Sequence, residues 1–166
     1  MAMPATQWKI PPLVKVYEAL GAIGDGRVRI EDDRRATVTS SDGSKAYEVE
    51  MSADGREIAS NDNASYWQGY VGYPAIAVLI ARGLYRPPAN VTDALAGIPW
   101  KELNRKYKND SAKTLAEVEK ELEQGGHDPD AVRSEADAVL TFLRALKPVR
   151  GKRSRPPAEK PASRIR

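Results

Sequence analysis

The spacing of apolar residues changes twice along this chain. From residue 11 to 23, Leu13, Val16, Tyr17, Leu20 and Ile23 recur every three or four positions. That spacing predicts a helix with one apolar face. Pro11 and Pro12 suit its first turn, and Gly24 and Gly26 mark its end. The period then falls to two. Val28 and Ile30 alternate with charges, Ala36 and Val38 follow, and Tyr47, Val49 and Met51 alternate with polar residues. Ile58 points inward from a last short segment. Two Asp-Gly pairs, at 42–43 and 54–55, favour tight turns between these runs. We expect a small antiparallel meander of three or four strands. One face must be covered by helices, because a lone hairpin sheet is marginal in water.

Beyond residue 73 the pattern is helical again. "PAIAVLIARG" predicts a helix that begins at Pro74 and closes at Gly83. "LYRPPAN" breaks it, and Thr92 can cap a short turn over 93–97. Pro99 opens "PWKELNRKYK", with Trp100, Leu103 and Tyr107 on one face and Lys101, Arg105 and Lys108 on another. "SAKTLAEVEKELEQGG" predicts an amphipathic helix with Leu115, Val118 and Leu122 inward. A last helix has Asp128 as its cap and Pro129 at its first position, with Val132, Val139, Phe142, Leu143 and Leu146 inward. Pro148 is expected to end regular structure. The fold class is therefore α+β: an antiparallel meander packed on an N-terminal helix and several C-terminal helices. One domain spans 1–146, its helical part 92–146, and a disordered basic tail spans 147–166.

Charge sharpens that division. The whole chain carries +3, but the tail holds Lys147, Arg150, Lys152, Arg153, Arg155, Lys160, Arg164 and Arg166 against the single acid Glu159. A mildly acidic body with a basic, proline-rich tail points to a polyanionic partner. The tail is too polar to bury anything by itself. A solubilising terminus is the alternative, and "KRSR" also fits a localisation signal.

Residue usage narrows the chemistry. There are no cysteines, which removes disulfides, thiolate nucleophiles and cysteine-based zinc sites. His127 is the one histidine, in a loop before a helix, where a capping-region role is expected. "EDD" at 31–33 precedes two arginines and fits a charged turn. "GAIGDGRV" lacks the lysine and the strand-to-helix context of a phosphate loop. No nucleophile stands at a recognisable spacing from a base, so no catalytic residue, metal or cofactor is expected. No apolar run nears the roughly 20 residues of a membrane span, and the N-terminus lacks the pattern of a secretory signal. "NAS" at 63 and "NVT" at 90 then count as chance matches to a glycosylation acceptor.

The aromatic residues are unevenly placed. Tyr66, Trp67, Tyr70 and Tyr73 fall within eight positions, between the meander and the apolar helix. They fit either a packed loop or a stacking platform for unpaired bases. Asn61, Asp62 and Asn63 just before them can bond backbone amides in the loop.

The order of features over about residues 36–83 resembles the SWIM zinc-finger module: a hairpin, a short strand, a loop, then a glycine-proline start to an apolar helix. In that family a Cys-x-Cys pair ends the hairpin and Cys-x-His opens the helix. The matching positions here are Ala59, Asn61, Ala75 and Ala77, none of them a metal ligand. The resemblance implies a metal-free relative. A structural zinc can contribute on the order of 10 kcal/mol to the folding of a small peptide. The rings, each worth roughly 1.5–3 kcal/mol when buried, are first candidates for closing the junction instead. SWIM modules are associated with DNA or protein interaction. We therefore expect a non-enzymatic nucleic-acid-binding module or nucleoprotein component, cytoplasmic or nucleoid-associated. Its tail, with Lys101, Arg105 and Lys108, would meet phosphates of DNA or RNA. The alternative is a protein-interaction adaptor that docks through the aromatic loop and the helical face.

Overall fold

The computed structural model describes residues 5–152 and 155–158. Arg153, Lys160, Arg164 and Arg166, expected to contact phosphates, lie outside the described residues.

Helix α1 spans Leu13–Gly24, as its apolar spacing predicts. Four strands follow: β1 Val28–Ile30, β2 Arg35–Thr39, β3 Ala46–Met51 and β4 Glu57–Ser60. Each pairs antiparallel with the next, in a register that sets Val38 opposite Val28 and Tyr47, and Ala36 opposite Val49. Ala36, Val38, Tyr47, Val49, Met51 and Ile58 are buried. Ile30, which alternates with charged residues, is 45% exposed on the edge strand.

A π-helical turn at Ala64–Gln68 leads to α2, Tyr73–Ala81. Every residue from Pro74 to Ile80 is buried. A helix apolar on all sides must be enclosed, and α2 touches all four meander strands and α1. α1 touches α3 (Ala89–Ala94), α5 (Ser111–Gln124) and α6 (Pro129–Leu146). It is also covered nearly all round, which one apolar stripe did not foretell. At Gly24 an added Cβ would fall 2.9 Å from the Thr92 carbonyl carbon, so the glycine permits close contact with α3.

Three local expectations change. α3 begins at Ala89 after Pro88, and Thr92 lies inside it, where its hydroxyl donates to the Ala89 carbonyl at 3.1 Å rather than capping. α4 covers only Trp100–Lys106. Lys108 and Asn109 then take left-handed backbone, φ 51° and 63°, so Lys108 leaves the face shared by Lys101 and Arg105. The tight turn lets Asp110 cap α5 by accepting from the Lys113 amide.

The largest change is at the C-terminal end. Lys147 closes α6 in left-handed backbone, and Pro148 redirects the chain into β5, Val149–Arg150. β5 pairs parallel with β4, which makes a five-stranded mixed sheet. Its other edge takes the N-terminal segment. The Arg150 backbone amide donates to the Thr6 carbonyl at 2.7 Å, and the Trp8 backbone amide donates to the Pro148 carbonyl at 2.9 Å. Pro148 lacks an N–H, yet its carbonyl completes this pairing. Trp8 is buried, with its indole N–H on the Ile58 carbonyl at 3.0 Å and the Arg150 guanidinium 4.8 Å from its ring centre. Regular structure thus continues past the expected boundary at 146.

Candidate functional site

The junction between β4 and α2 is built around a buried carboxylate. The Asp62 carboxylate accepts from the Ser60 hydroxyl at 2.5 Å, the Ser65 hydroxyl at 2.7 Å and the Ser65 amide at 3.0 Å. The Ser65 hydroxyl in turn accepts from the Gly72 amide at 3.1 Å, at the start of α2. Asn61 bonds the β3 backbone instead: its side-chain oxygen accepts from the Glu48 amide at 2.8 Å. Asn63 is exposed.

Aspartate and two serines therefore hold this junction. The four rings do not act together to close it. Trp67 is 69% exposed, while Tyr66, Tyr70 and Tyr73 are half-buried. Tyr73 braces the sheet, edge-on to Tyr47 with ring centres 6.1 Å apart. Burial pushes the Tyr73 hydroxyl well above the usual phenol range. Ala75 and Ala77 are fully buried, consistent with close approach of α2.

Beside the junction lies a cleft of about 420 Å³ between α1, α4 and the β2–β3 turn. Five cationic side chains border it: Lys15, Arg27, Lys45, Lys101 and Arg105. The acids there, Glu18 and Asp62, are 3% and 4% exposed. Glu18 pairs with Lys15 at 2.8 Å and accepts from the Asn104 side-chain Nδ2 at 2.6 Å. Burial alone would lower the Lys15 pKa, but the charge and hydrogen bond of Glu18 raise it. Lys101 bonds the Ser44 hydroxyl and lies 3.4 Å from Asp42. Arg27 is fixed by Asp25 at 3.0 Å and the Thr39 carbonyl at 2.7 Å. Its buried Nη2 has no hydrogen-bond partner. The potential of such a concave, cation-lined surface favours anions.

A second cleft, about 410 Å³, adjoins the first through Lys15, Asn63, Ala64, Asn104 and Asn109. Trp67, Gln68 and Tyr70 border it. Trp67 and the cation pair Lys101 and Arg105 thus face neighbouring parts of one concave surface.

The other expected contact residues separate. Lys108 borders neither cleft. Lys147, Lys152 and Arg155 are exposed. Arg150 is half-buried over Trp8 and reaches the Gly69 carbonyl at 3.4 Å, a packing position. His127 is exposed before α6, and Asp128 caps that helix as expected. The "EDD" segment is a turn in which Asp32 accepts from the Arg34 and Arg35 amides. Among the described residues no His, Asp and Glu cluster could hold a metal ion. No helix among them is long and apolar enough to cross a membrane.

Lys15, Arg27, Lys45 and Asn104 were not singled out in the sequence. They stand on separate elements, and only folding brings them to one cleft.

Residues 8–149 match the family described as Uncharacterised conserved protein UCP014422, and the chain belongs to that family. No curated protein and no solved structure matches it.

Proposed function

We propose that this chain is a non-enzymatic nucleic-acid-binding module, alone or within a nucleoprotein complex, that acts in the cytoplasm or on the nucleoid. One observation carries the reading: the cleft bordered by Lys15, Arg27, Lys45, Lys101 and Arg105 runs into the surface that holds the exposed Trp67. Clustered cations supply phosphate affinity, and an aromatic face supplies a contact that any base can use. The basic composition beyond Lys147 supports added non-specific attraction. The order of hairpin, turn and helix supports a metal-free SWIM-like module. Both carboxylates in the cleft are buried and committed to hydrogen bonds within the fold, which favours binding over turnover.

The test is fluorescence anisotropy of labelled single- and double-stranded oligonucleotides with the full chain, across a salt series. The logarithm of affinity should fall linearly with the logarithm of salt, with a slope of about −0.7 to −0.9 per phosphate contacted. A K101E/R105E double variant should bind more weakly and with a shallower slope. Absent or salt-independent binding of both oligonucleotides would sink the reading and favour the protein-docking alternative. A tail deletion should start after Lys152, because cutting after Lys147 removes β5.

A further inference from the structure

We infer that the nucleic acid bound here is single-stranded, with an unpaired base stacked on Trp67 and the neighbouring phosphates led past Lys15 toward Arg27 and Lys101. The inference rests on the nucleic-acid reading and specifies its ligand.

The three tryptophans make the first argument. Trp8 and Trp100 are 7% and 2% exposed, whereas Trp67 is 69% exposed. Leaving so large an apolar ring in water forgoes the burial that the other two achieve. A single exposed hydrophobe is common enough to mean nothing alone. What distinguishes Trp67 is how it is held.

Its π-helical turn is anchored at both ends. At the start, the Ser65 amide and hydroxyl bond the buried Asp62. At the end, Gly69 takes left-handed backbone, and its carbonyl accepts from the Lys9 amide at 3.0 Å and from Arg150 at 3.4 Å. Tyr66 packs against the Trp67 ring edge-to-face, with centres 4.6 Å apart. π-Helical turns occur often at functional sites. A ring fixed in advance loses little freedom on binding, which strengthens a stacking contact.

The surroundings select the strand state. Bases inside a duplex already have both faces stacked, so only an unpaired base can offer one to the ring. Asn63, Gln68, Asn104 and Asn109 stand around the same cleft, and their amides can meet base edges as donors or acceptors. Lys15 borders both clefts and marks the passage between base and phosphate positions. In the cationic cleft, the Arg27 guanidinium, fixed by Asp25 and the Thr39 carbonyl, adds a preset positive charge that favours a phosphate.

The experiment uses the full chain, its W67A and W67F variants, and K101E/R105E. Each is titrated with an oligothymidine of about 12 nucleotides, within the usual range of single-strand sites, and with a blunt duplex of two fully complementary strands. Anisotropy gives affinity, and intrinsic tryptophan emission gives stacking. W67A should weaken single-strand binding about tenfold, W67F should recover most of it, and duplex binding should hold steady. The single strand should quench the parent's emission but not that of W67A. If W67A binds the single strand like the parent without a quenching difference, while K101E/R105E loses binding, stacking is refuted and nucleic-acid binding stands. An equal loss for strand and duplex also refutes strand selection. If no protein binds either probe, both readings fail together.

Discussion

The Asp62 carboxylate occupies the space that a side chain on Gly72 would need. A Cβ at Gly72 would lie 2.7 Å from the Asp62 carboxyl carbon and 2.8 Å from the Ser65 hydroxyl. A buried carboxylate and a bare backbone amide are therefore one joint, with Ser65 between them.

This joint should dominate local stability. Asp62→Ala removes three accepted hydrogen bonds and leaves buried donors unpaired, at a cost of about 2–4 kcal/mol. Gly72→Ala should cost a similar amount through overlap. In the Asp62→Ala background, Gly72→Ala should cost clearly less. Urea denaturation checks this: the double-mutant cycle should give a coupling above about 0.5 kcal/mol, and strict additivity would contradict the joint.

Trp8 should matter as much as any helix residue. Trp8→Ala removes a buried ring, its bond to Ile58 and its contact with Arg150, at about 3–5 kcal/mol. A chain ending at Lys147 should lose stability too, since β5 goes with the deletion. A chain ending at Lys152 should melt like the full chain. Thermal unfolding of the three proteins decides, and equal melting temperatures for the two truncations would contradict a structural β5.

Acid should loosen the β2–β3 turn. Burial opposes ionisation of Asp42, but hydrogen bonds from Ser44 and Ser40 and the charge of Lys101 hold its pKa below the ordinary value of 3.8. The turn's contribution is thus present above that value and is lost as pH falls through the lower folded pKa. Asp42 is 41% exposed at its side chain, so solvent screening keeps the effect small. Asp42→Asn should lower the melting temperature at neutral pH by about a degree or two, and the gap should close at low pH.

Alkali should act through the tyrosines. Burial raises the pKa of Tyr73, and burial followed by the Glu135 hydrogen bond pushes Tyr85 up to about 12. Above pH 10, their ordinary value, the folded state keeps protons that the unfolded chain releases, so stability falls as pH rises. Tyr73→Phe should flatten that fall. Ultraviolet titration should show late phenolate formation that moves to lower pH in urea.

The helices and meander were legible because their signals are local. Period-two runs at Tyr47, Val49 and Met51, and the Asp128–Pro129 start, need no distant partner to be read. The failures share a cause. β5 is two residues that become a strand only between β4 and the N-terminal segment, both far back in the chain. Trp8 is a lone aromatic in a stretch with no helical or alternating pattern until Ile58 and Arg150 meet it. At the junction the sequence pointed to rings, since ring burial is the commoner source of stability. The smaller signal, "ND" with serines on both sides, carried the hydrogen bonds. The cationic cleft was half visible, through Lys101 and Arg105. Its other members come from α1, the segment before β1 and the β2–β3 turn.

The bond between Trp8 and Pro148 brings the two ends of the folded body side by side. Connectivity and architecture are then separable. A short linker from about residue 152 back to residue 5, with new termini cut at the exposed Asp42–Gly43 turn, should leave every layer in place. Such a circular permutant should unfold with the cooperativity of the parent. The same proximity means that tension applied through both ends loads the β5 pairings first, so the domain should yield from that seam.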